Sequence, residues 1–150
     1  MKMYAMRKSL VVLSIVALVL LLAIPSVGLA GPPDSATMVF GRPDAGNRQA
    51  QNKIEPGAVA ISAGGTVTFV MDGFHQVAIY EPGIKPQDIV PAGNRVALPG
   101  DEGVIFIGEA AAPGVSEDVY TFNEPGKYLV ICNVTGHFVN AQMWGWVIVN

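Results

Sequence analysis

Cys132, His137 and Met143 fall within one 12-residue stretch of a chain that holds a single cysteine and two histidines. The other histidine, His75, stands 57 positions before the cysteine. A thiolate and two imidazoles, with a weak thioether above their plane, form the donor set of an electron-transfer copper site. Other metals fit these residues less well. Structural zinc asks for four Cys or His ligands, and three exist here. Iron–sulfur clusters ask for more thiolates. Catalytic zinc asks for a general base, and nothing in the sequence places the candidate acids Glu102 and Glu124 near the histidines.

Residues so far apart need a stiff frame to meet, and the apolar pattern predicts strands. Val67, Phe69 and Met71 share one face of Thr66–Met71, after Val59 and Ile61 alternate with small residues. In His75–Tyr80 the parity of His75, Val77 and Ile79 turns the histidine toward the core. Tyr128, Val130 and Cys132 share a face of Lys127–Cys132. Trp144–Val149 is apolar on both faces, as in a strand buried from two sides. Thr37–Phe40, Val104–Ile107 and Val119–Phe122 are further strands; Gly41–Pro56, most of 84–118 and the segment after Cys132 read as loop. Seven or eight short strands separated by pairs such as Asp72-Gly73, Pro82-Gly83 and Pro125-Gly126 predict an all-β Greek-key sandwich.

Composition divides the chain at residue 30. Residues 1–30 hold 22 apolar residues, the basic Lys2, Arg7 and Lys8, and no acid. A basic head, an apolar run from Leu10 to Ile24 and the small-residue exit Gly28-Leu29-Ala30 are the parts of a secretory signal. The 15-residue run is short of the ~20 residues that span a bilayer, so cleavage is expected rather than anchoring. The remaining 120 residues carry six basic and twelve acidic side chains, a net charge of −6. That charge excludes a phosphate-binding surface of clustered Lys and Arg, and hence nucleic acid as a partner. Their 16 Gly and 10 Pro break up long helices and supply turns. Residues 31–53 form a polar segment with one strand, part of the same domain as 54–150. An exported protein with one unpaired cysteine needs that thiol occupied or protected, which a metal would do.

Cys132-x4-His137 followed by Met143, His75 on an upstream strand, and Pro125-Gly126-Lys127-Tyr128 together resemble the cupredoxins, the plastocyanin and azurin group. Gly64–Phe69 adds weaker support, and the resemblance spans roughly residues 54–150. It implies a β-sandwich holding one type 1 copper ion on His75, Cys132, His137 and Met143. Two features depart from the family pattern. Gln76 stands where an Asn usually follows the first histidine, and five residues rather than three or four separate His137 from Met143. The spacing puts Gln142 at the axial position of four-spaced members, and the related stellacyanins use Gln there. Met143-Trp144-Gly145 nevertheless matches the family's lead into the last strand, which favours Met143.

The function expected from this resemblance is one-electron shuttling by a periplasmic or secreted monomer. Redox proteins would dock near His137, where Gly136, Phe138 and Val139 could form an apolar patch. The acidic net charge favours a basic partner face. A copper carrier without shuttling is the competing reading. It would want more Met or His than Met38, Met71 and Met143 beside the two histidines. Catalysis of the copper nitrite reductase kind needs a second, histidine-bound copper, for which no histidines remain, so the chain is not expected to be an enzyme.

Overall fold

The computed structural model describes residues 31–41, 52–100 and 102–150. The expected signal segment lies outside them, as does most of the loop expected at Gly41–Pro56. Alternation in the sequence becomes alternation in burial. In β4 (Gly65–Asp72), Gly65, Val67, Phe69 and Met71 are buried and their neighbours half-buried. β4 lies between β1 (Ser35–Phe40), parallel to it, and β9 (Val115–Phe122), antiparallel. The two-residue β2 (Ile54–Glu55) closes the other side of β1.

A second sheet runs in the order β3-β11-β10-β5-β8. Here β3 is Ala58–Ile61, β5 Val77–Tyr80, β8 Val104–Ile107, β10 Gly126–Cys132 and β11 Trp144–Val149. β10 is central and antiparallel to both neighbours, while β3 runs parallel to β11. The two sheets therefore hold nine strands, and a hairpin of β6 (Val90–Ala92) and β7 (Arg95–Ala97) adds two more. The count exceeds the seven or eight expected because β2, β6 and β7 are too short to show a period in sequence.

Inward residues of the two sheets pack into one core. Met38, Phe40, Phe69, Val77, Ile79, Val130, Cys132, Met143 and Val147 all belong to it. A second cluster covers the outer face of the second sheet, where Ile89, Val96, Leu98 and Phe138 pack on Ala78, Tyr80, Leu129 and Ile131. As the sequence led one to expect, 84–118 is mostly loop apart from β8, the start of β9, one turn of 3-10 helix at Pro86–Asp88 and the short β6 and β7. What the sequence did not show is that the excursion between β5 and β8 forms a lid over the sheet's second face. It stops short of β11, so Trp144 and Trp146 are half-buried and Ile148 is exposed, not enclosed on both sides as expected. Among the described residues no helix is long and apolar enough to cross a membrane.

Candidate metal centre

β10 ends at Cys132 and delivers its side chain into the core, fully buried. β5, hydrogen-bonded beside it, begins two residues after His75, which is itself buried at 4% exposure. The strand expected over His75–Tyr80 thus starts later, yet the parity argument holds: His75, Val77 and Ile79 all face inward.

The segment after Cys132 is not a plain loop. It contains α1 (Thr135–Ala141), held by tertiary contacts rather than by a side-chain cap. The Thr135 Oγ1 lies 2.9 and 2.6 Å from the carbonyl oxygens of Gly93 and Arg95, which share its one proton, pinning the helix to the β6–β7 hairpin. Phe138 anchors its other side in the second cluster. With Phe138 turned to that cluster, His137 projects back toward Cys132.

Both imidazoles present Nδ1 to the thiol. Cys132 Sγ lies 3.6 Å from His75 Nδ1 and 3.6 Å from His137 Nδ1, and all three donor atoms fall within 4.8 Å of one another. The spacing suits a shared ion. Metal bonds of ~2.3 Å to sulfur and ~2.0 Å to nitrogen, opened at ~110–120°, separate the donors by about 3.5–3.7 Å. Among the described residues no carboxylate joins the cluster. A soft sulfur with two imidazoles in a buried, oxygen-poor site suits copper better than a hard cation.

Gln76, which replaces the usual Asn, is a hub of the surrounding hydrogen bonds. Its Nε2 donates to the Gly108 carbonyl at 3.0 Å, and its Oε1 accepts from Asn133 Nδ2 at 3.0 Å. Its carbonyl accepts from the Asn133 N–H at 2.7 Å. The residues following His75 and Cys132 are therefore clamped together. Asn133 is buried, and its Oδ1 accepts from Val96 N–H at 3.4 Å. Replacing Gln76 with Ala should strand Asn133 Nδ2 and lower unfolding free energy by about 1–3 kcal/mol. Gln76→Asn, one methylene shorter, should recover only part of it. Denaturant melts of the three proteins check this.

The sequence offers little hint of Gly41, the other support. Its φ is +81°, and a Cβ there would run into the His75 ring and the Asp72 carbonyl. Glycine is required because the end of β1 passes directly against the imidazole. Also missed was Phe74, which stands 56% exposed beside His75.

The two axial candidates are placed very differently. Met143 is buried in the same core cluster as Cys132, and its carbonyl accepts from Cys132 N–H at 2.9 Å. Gln142 is exposed and ends α1 in the left-handed conformation at φ 52°. The extra loop residue is absorbed at this helix end. Of the expected docking patch, Gly136 and Val139 are exposed, but Phe138 is buried and does not belong to it.

Burial sets the proton chemistry. It pushes the Cys132 thiol up, although backbone hydrogen bonds from Gln76 and Val134 pull it back in part. It also holds His137 below its usual value, which keeps that imidazole neutral and its lone pair available.

Solved structures share this architecture. An auracyanin from Roseiflexus castenholzii, reduced with dithionite, aligns with a TM-score of 0.55 at 20% identity, covering 80% of this chain and 99% of its own. Auracyanin A from Chloroflexus aurantiacus, described as a "blue" copper protein, gives 0.53 at 24% identity over 79% and 99%. Rusticyanin from Thiobacillus ferrooxidans gives 0.53 at 18% over 81% and 79%. No protein-family model matches the sequence, and no curated protein matches it. The fold is that of the cupredoxins, and His75, Cys132 and His137 stand in it positioned for a metal.

Proposed function

We propose that this protein is an exported electron carrier that binds one copper ion on His75, Cys132 and His137, with Met143 as the weak axial ligand. The observation that carries the reading is the pair of equal 3.6 Å spacings from one buried thiol to two imidazole nitrogens. Bound copper supplies one-electron chemistry by alternating between Cu(II) and Cu(I). The chain's part is to keep its donors still. Cys132 is fixed at a strand end, His75 is backed by Gly41, and His137 is set by a helix pinned at Thr135 and Phe138. Donors held this way need little rearrangement when the charge changes. His137 is only half-buried, which makes its ring the natural way in and out for an electron, with a redox partner docking over it.

Export of residues 31–150 after cleavage behind Ala30 completes the proposal, and the same reading assigns no enzymatic activity. Burial of His75 and Cys132 argues against the carrier alternative, since handing a metal on requires incoming ligands to reach it. Voltammetry separates the two. An electron carrier should give one reversible one-electron wave and keep its copper against a competing chelator. Rapid loss of copper to the chelator, with no reversible wave, would mark a metal carrier.

Metal uptake should depend on pH in a definite direction. The thiol pKa is raised, so Cys132 is protonated near neutrality, whereas His137 is already neutral. Binding should therefore release about one proton, and affinity should rise about tenfold per pH unit while the thiol stays below its pKa. Well below neutrality, protonation of His137 should steepen the dependence, the more acidic onset following from its lowered pKa. Calorimetric titration of apoprotein in buffers of different ionisation enthalpy measures the proton count.

A further inference from the structure

The chain's two tryptophans share a place away from the metal centre. Trp144 and Trp146 are two residues apart on β11 and so lie on one face of it, the outer face, opposite Met143 and Val147. Their rings meet edge to face at 74°, with centroids 6.2 Å apart. They form one wall of an open cleft of about 470 Å³ whose other side is the segment Gly83–Gln87. That volume is in the range of small-molecule sites. Two indoles at right angles offer a face and an edge to a single flat ring, the arrangement that aromatic groups prefer.

Among the described residues, the polar groups of the cleft are Lys85, Gln87 and Lys127, and none that lines it is acidic. In a chain whose net charge is −3, two ammonium groups without an acid form a local reversal of sign. Lys127 Nζ rests 4.1 Å from the Trp146 ring centroid, a cation over an aromatic face, and is therefore held at the cleft rather than swinging free. The nearest carboxylate in sequence, Asp88, accepts from the Lys85 backbone N–H at 2.9 Å. A neutral sugar would want several amide or carboxylate partners for its hydroxyls, and Gln87 is the single amide. We propose that this cleft binds a planar aromatic anion, one or two fused rings bearing a carboxylate, with the ring on the indoles and the carboxylate between Lys85 and Lys127. The site is independent of the metal reading.

Because both tryptophans line the cleft, their two indole N–H resonances report on it without interference. The probe is 2-naphthoate, added to the protein in its diamagnetic, reduced form. Both resonances should shift saturably, with half-saturation near or below about 1 mM. Naphthalene-2-methanol, which lacks the charge, and cyclohexanecarboxylate, which lacks the flat ring, should each bind about tenfold more weakly. The double variant Lys85→Gln/Lys127→Gln leaves the indoles and the metal ligands in place and should weaken 2-naphthoate about tenfold. Unmoved resonances would overturn the proposal. So would equal binding of the alcohol, or undiminished binding of 2-naphthoate by the double variant.

Discussion

Cys132→Ser is expected to erase the visible absorption of the copper-loaded, oxidised protein. The colour of such a site comes from charge transfer out of a thiolate, and this chain has no second thiol to take over. A serine hydroxyl is harder, keeps its proton and is a poor partner for Cu(I). Copper affinity should fall by at least about a hundredfold. The fold should survive, because Cys132 contributes backbone pairing to Val77 and Met143 that serine retains. Absorption spectroscopy with competitive copper titration checks both parts, and a serine variant that stays coloured would remove Cys132 from the ligand set.

Met143→Gln is expected to lower the reduction potential by about 60 mV or more, a tenfold or greater shift in preference from Cu(I) toward Cu(II). A thioether is soft and favours the reduced ion; an amide oxygen is harder and favours the oxidised one. Gln142→Ala should leave potential and spectrum nearly unchanged, since Gln142 is exposed at the end of α1. Alanine meets the same left-handed backbone there, so stability should barely move either. A large shift in Gln142→Ala, with little in Met143→Gln, would reverse the axial assignment.

The donor residues were legible because their types are rare in this chain and their parity follows from strand periodicity. His75 shares its side with Val77 and Ile79, and Cys132 with Tyr128 and Val130, as alternation requires. Val104–Ile107 appears as a strand with the same limits in both readings. α1 was hidden because Thr135–Ala141 is under two turns long and includes Gly, Thr, Val and Asn, all weak helix formers. Its stability comes from Thr135 on the β6–β7 hairpin and Phe138 in the second cluster, and both are long-range contacts. The same blindness misplaced Phe138 in a surface patch. Local pattern shows that a residue is apolar, but which neighbour covers it depends on the lid that crosses the second sheet. Gly41 escaped notice for a related reason: its neighbour in space, His75, is 34 positions away in sequence.

The most direct test of the copper assignment is an optical titration of the metal-free protein with Cu(II). A site built from Cys132, His75 and His137 should develop an intense thiolate-to-copper band, at about 600 nm as the resemblance to cupredoxins implies, that saturates at one ion per chain. It should bleach on one-electron reduction and return on reoxidation. A titration that yields only the weak absorption of copper bound through nitrogen and oxygen, or saturates at more than one ion per chain without the intense band, would contradict the assignment.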